Sequence, residues 1–142
     1  MIGKLQTNKV KHAVSIFDYI HTLDNIRLAE KIANEEIKIN KKLKVFIQLN
    51  IGDESQKNGI DIANLDNFHK LCCKDFKLDI VGLMCIPPID KPAKSFFEKM
   101  KIITEDMKFL ELSMGMSSDY MDAAINGSTY VRIGSKIFGN RN

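Results

Sequence analysis

Short apolar runs alternate along this chain with longer segments in which apolar residues recur near the helical period. The runs predict strands at Tyr19–Thr22, Val45–Ile51, Ile80–Ile86, Leu110–Met114 and Val131–Ile133. The amphipathic segments predict helices over Thr7–Val14, Asn25–Ile39, Ile62–Cys73, Pro92–Met107 and Ser118–Ile125, with a last turn at Ser135–Phe138. Regular alternation of this kind is the mark of repeated β–α units around a parallel sheet. No linker, repeat or low-complexity stretch divides the chain, so a single domain over residues 1–142 is expected.

In parallel α/β barrels ligands sit at the carboxyl ends of the strands, which directs attention to the residues after each run. Ser117 and Ser118 close one strand and open a helix, so their hydroxyls and the first free backbone N–H groups can face a phosphate. Gly134 and Ser135 follow Val131-Arg132-Ile133 in the same way, and two such turns at adjacent strand ends point to a phosphorylated ligand. Asn50, Glu54, Lys57 and Gly59, then Met84, Pro87 and Pro88, then Met116, complete a candidate rim. Arg132 lies inside a strand, where a guanidinium requires an anionic or acceptor partner, a barrel acid being the structural alternative to a ligand. Plainer roles compete elsewhere: a serine of the Ser117-Ser118 pair as a helix N-cap worth about 1 kcal/mol, and Thr129 as a packing or capping residue.

Composition narrows the classes. A length of 142 residues with 44% apolar content supports a real core, yet a complete eight-stranded α/β barrel typically needs about 200 residues or more. The net charge of +3 is mild and the lysines are spread, with no aromatic platform beside the basic clusters, so nucleic acid is not an expected partner. Cys72, Cys73 and Cys85 read as small buried hydrophobes of a reduced compartment, and His12, His21 and His69 have no metal-like spacing. No segment approaches the roughly 20 apolar residues of a membrane span, so no membrane association and a cytoplasmic location are expected.

The motifs IGKLQTNK (Ile2 to Lys9), SMGMSSDY (Ser113 to Tyr120) and GSTYVRIGSKIFG (Gly127 to Gly139), with the stretch Asn50 to Gly59, resemble the pyridoxal-phosphate homeostasis proteins. These are single-domain relatives of the alanine racemase barrel, and the likeness runs from Ile2 to Arg141. It implies an α/β fold, a partial TIM-type (β/α)8 barrel covering roughly the third to eighth strand units. It implies pyridoxal 5'-phosphate as cofactor, with Arg132 at the pyridine nitrogen and Ser117, Ser118, Gly134 and Ser135 at the phosphate. Met84 and Asn8 are expected near the same rim. It implies a carrier and buffer of vitamin B6 without catalytic turnover.

In that family the Schiff-base lysine precedes the IGxLQxNK motif, so the resemblance implies a chain without the amino-terminal third, holding its cofactor non-covalently, with function reduced or lost. Lys4, Lys9 and Lys57 stand among polar residues and are not expected to replace that lysine, which needs a desolvated site. An incomplete barrel of this kind is expected to leave strand edges unpaired and its interior open to water, inviting self-association or a complementing amino-terminal fragment. Three readings stand beside the main one: an alanine racemase-like enzyme, one half of a split protein, and a remnant without cofactor function.

Overall fold

The computed structural model describes residues 1–53 and 58–139, so Glu54, Lys57 and Arg141 lie outside the described residues. Five parallel strands, β1 (Tyr19–Leu23), β2 (Lys44–Leu49), β3 (Asp79–Cys85), β4 (Glu111–Met116) and β5 (Tyr130–Arg132), form one sheet in sequential order. Helices α1 (Val10–Ile16), α2 (Ile26–Ile39), α3 (Leu65–Lys74), α4 (Ala93–Asp106), α5 (Tyr120–Ile125) and α6 (Ser135–Phe138) are interleaved with them. The fold is an α/β half-barrel. No helix among the described residues is long and apolar enough to cross a membrane.

Local chemistry sets the element ends. Asn25 caps α2 by accepting from the Leu28 N–H at 2.9 Å, and Asn40 ends that helix in the left-handed region at φ 52°. Asparagine tolerates that conformation because its short polar side chain bonds locally. The buried Glu36 carboxylate accepts from the Leu43 N–H at 2.7 Å and the Lys42 ammonium at 2.9 Å, tying α2 to the start of β2. The helices cover one face of the sheet, where Ile20, Val45, Ile47, Leu83, Cys85 and Met114 join α-helical residues such as Ile32, Phe97 and Met100 in one core.

Several expected boundaries shift by a few residues, and two of these shifts bear on the site or its approach. The segment Thr7–Val14 is a 3-10 turn over Thr7–Lys9 followed by α1, and α5 starts at Tyr120 rather than Ser118. The Asp119 side chain accepts from the Met116 N–H at 2.6 Å, which holds Ser117 and Ser118 in a turn and delays the helix. Neither serine is its N-cap, a position held by Asp119.

The concave face of the half-barrel carries packed side chains of its own. Tyr19 and Tyr130, on the first and last strands, bring their rings within 5.7 Å of each other. Phe46 and Met84 are fully buried although they stand outside the helix-facing core. The sheet therefore curls until its concave face is filled by its own side chains. Along the outer edge of β1, the Met1 carbonyl accepts from the His21 N–H at 2.9 Å.

Such a curl needs close strand contact, and Gly82 supplies it. A Cβ there would collide with the Glu111 carbonyl of the neighbouring strand. Gly82→Ala should therefore lower the unfolding free energy in urea by about 1–3 kcal/mol, the usual penalty of overpacking. Unchanged stability would show that β3 and β4 separate freely.

Candidate functional site

Because side chains alternate along a strand, the concave face receives Tyr19 and His21 from β1, Phe46 from β2, Met84 from β3, Ser113 from β4 and Tyr130 and Arg132 from β5. At its centre Arg132 is only 7% exposed. Its Nη1 donates to Ser113 Oγ at 2.8 Å and its Nη2 to the Cys85 carbonyl at 2.8 Å. No carboxylate among the described residues forms an ion pair with it. Burial pushes the Cys85 thiol up to about 12, so that sulfur stays neutral as well. Burial also lowers the Arg132 pKa, but a guanidinium keeps its charge in proteins. The hydrogen bonds described for this cation thus go to neutral acceptors, while the Asp119 carboxylate favours its charge without pairing with it.

Ser113 Oγ lies 2.9 Å from His21 Nδ1. The imidazole stacks on Phe46 with ring centroids 4.3 Å apart and meets the Tyr130 ring edge-on at 5.3 Å. Its pKa falls from 6.5 to about 4, first because burial disfavours the charged form, then because the amino-terminal ammonium and Arg132 repel a further positive charge.

The rim above β4 and β5 is more open. Gly115, at φ 92°, leaves no room for a Cβ beside Ala123, and this glycine lets the chain turn towards Ser117. Ser117 Oγ accepts from the backbone N–H groups of Gly134 at 3.1 Å and Lys136 at 3.3 Å. Both amides thus converge on one oxygen. Ser118, Gly134 and Ser135 are exposed around it, and the Lys136 ammonium lies 4.8 Å from the centre of the Tyr120 ring.

Most of the residues expected from the sequence are therefore together: Arg132 and Met84 inside, Ser117, Ser118, Gly134 and Ser135 on the rim. Asn8 is not with them. It lies exposed on the 3-10 turn with no hydrogen bond to any of these residues. Thr129 has the structural role expected of it, bonding the Leu112 backbone at 2.8 Å. Sequence reasoning missed Ser113 and the part played by His21. The available signal was polar residues inside otherwise apolar strands at the same inward parity as Arg132. A cavity of about 780 Å³ lies elsewhere, between the start of α2 and α3, walled by Arg27, Gly59, Asp61, Asn67, Phe68 and Leu71.

Comparison with known proteins gives a consistent result. The profile described as alanine racemase, N-terminal domain, matches residues 1–142. A protein named pyridoxal phosphate homeostasis protein from Aquifex aeolicus is 36% identical, the alignment covering 99% of this chain and 65% of the relative. One of the same name from Pasteurella multocida is 39% identical, covering 99% and 64%. The chain thus spans a little under two thirds of the length of these curated relatives. The solved structure of PipY from Synechococcus elongatus with PLP bound superposes with a TM-score of 0.86 at 31% identity, covering 96% of this chain and 68% of that one. An alanine racemase from Clostridium difficile shares the fold at a TM-score of 0.71 and 14% identity.

The depressed imidazole has a measurable consequence. The folded protein resists protonating His21 and the unfolded chain does not, so the corresponding stability is present above pH 6.5 and is lost as pH falls towards 4. The loss is expected to be no more than about 3 kcal/mol. Urea unfolding across that window should show a shallower decline for His21→Phe than for the parent. Parallel declines would mean that the ring titrates alike in both states.

Proposed function

The chain belongs to the alanine racemase N-terminal-domain family, and from that footing we propose that it binds pyridoxal 5'-phosphate in intracellular cofactor homeostasis, as a carrier and not as an enzyme. The observation that carries this reading is the pairing of two donor sets. Backbone N–H groups converge at the Ser117 hydroxyl, and close by stands a buried guanidinium that forms no ion pair among the described residues.

The donor set fits the cofactor. A phosphate suits N–H groups and hydroxyls that already meet at one oxygen, so Ser117, Ser118, Gly134 and Ser135 would hold that end. Arg132 would hold the ring end, beside the buried Met84. When bound, pyridoxal phosphate supplies a reactive aldehyde and an aromatic ring able to withdraw electrons. Arg132 can only donate a hydrogen bond, so it would keep the pyridine nitrogen unprotonated and weaken that withdrawal. Carriage of the cofactor is favoured over turnover.

Every lysine among the described residues is exposed except the half-buried Lys41, and that one is engaged with Asp18 and the Phe17 carbonyl. A desolvated amine suited to covalent capture is not among them, and this supports non-covalent binding by these residues. Asn8, exposed and remote in contacts from Arg132, is proposed to play at most an outer role.

Titration of the purified chain with pyridoxal phosphate, followed by absorbance, should show saturable binding that inorganic phosphate competes away. Borohydride reduction should trap no stoichiometric lysine adduct. Arg132→Ala and the double change Ser117→Ala with Ser118→Ala should each weaken binding by about tenfold or more, as expected for bonds to a charged partner. A folded serine variant that binds like the parent would show that the phosphate lies elsewhere.

A further inference from the structure

We propose that His21, acting through Ser113, positions the Arg132 guanidinium, so that a residue of β1 sets the geometry of the ring end of a site otherwise built on β3, β4 and β5. The proposal rests on the cofactor reading above only for the identity of the ligand.

The direction of the hydrogen bonds follows from what each group can do. Arg132 has donors and no acceptor, so the 2.8 Å contact makes Ser113 Oγ the acceptor. The Ser113 hydroxyl proton must then go elsewhere, and His21 Nδ1 at 2.9 Å is the acceptor beside it. The imidazole consequently carries its proton on Nε2. In the opposite arrangement the ring would donate to an oxygen already receiving from Arg132, and the Ser113 proton would lack a partner. That alternative leaves the buried Ser113 donor without this acceptor, whereas the first gives both Ser113 contacts a consistent direction.

The surroundings hold this arrangement in place. His21 is 5% exposed and Ser113 fully buried. The groups facing the imidazole are Phe46, Tyr19, Tyr130, Arg132 and, at the adjoining edge of β1, the amino terminus. The two cationic groups oppose a charged ring, and no carboxylate among the described residues is bonded to it. A neutral imidazole locked between two aromatic rings is a rigid acceptor, which fixes the Ser113 rotor. Ser113 Oγ and the Cys85 carbonyl then hold the two terminal nitrogens of Arg132 at once, which fixes the plane of the guanidinium.

Two readouts test this without any ligand. Nitrogen NMR of the full chain should show His21 as the neutral Nε2–H tautomer at neutral pH, and an Nδ1–H or charged ring would overturn the proposal. Arg132 side-chain resonances should report hindered guanidinium rotation that quickens severalfold in His21→Phe, which keeps an aromatic ring on Phe46 but removes the acceptor. His21→Asn, which restores an acceptor, should slow it again. A third readout uses pyridoxal phosphate and, separately, inorganic phosphate. His21→Phe should weaken binding of the former by about three- to tenfold, the scale of one neutral hydrogen bond, and leave the latter unchanged. Equal loss of both, or loss of neither in a variant whose thermal unfolding remains cooperative, would sink the positioning role. If the parent binds no pyridoxal phosphate, the cofactor assignment fails, and the tautomer and rotation measurements still decide the relay.

Discussion

A buried guanidinium whose described hydrogen bonds all go to neutral oxygens is the constraint around which this half-barrel is organised. Removing such an ion from water costs several kcal/mol even after relaxation, and Arg132 has to recover that from neutral oxygens. The two it uses belong to different strands, Ser113 of β4 and Cys85 of β3, while the arginine itself comes from β5. Meeting both requires the sheet to curl. The same curl brings His21 of β1 to Ser113 and Tyr19 to Tyr130, so the satisfaction of one cation and the closure of the concave face are a single geometric event.

That geometry divides the site into a rigid interior and an exposed rim. Inside, His21, Ser113 and Arg132 are joined by hydrogen bonds, and the rings of Phe46, Tyr19 and Tyr130 pack together around them. On the rim, the convergent N–H groups of Gly134 and Lys136 are satisfied by a serine hydroxyl, which water or an anion can replace at small cost. Charge sharpens the division. The interior keeps a positive group that no carboxylate among the described residues pairs with directly, and a cation so placed suits an electron-rich or anionic guest.

Legibility in the sequence followed the range of the interactions involved. Strands and helices were readable because apolar periodicity is local, and both Arg132 and Ser117 were readable because a charge within a strand and a serine at a strand end break that periodicity. The start of α5 was not, since it depends on the Asp119 side chain bonding back to Met116. The His21–Ser113 contact joins residues 92 positions apart and exists only because of the curl, which no local pattern encodes. Asn8 stands apart for the complementary reason: a motif places it, and on its exposed turn it forms no hydrogen bond to the other expected residues.

The division between interior and rim also bears on how a ligand would be received. Ser117 accepts two N–H bonds in the described structure, leaving its own proton free to donate. A phosphate oxygen arriving at the same point could take over both N–H bonds and receive the serine proton as well, so the hydroxyl changes from acceptor to donor without moving far. The ring end needs no such exchange, because Arg132 has five N–H donors and two of them are engaged among the described residues. Binding would therefore redistribute hydrogen bonds at the rim and add to those of the ring end, where the contacts of Ser113 and the Cys85 carbonyl already orient the arginine.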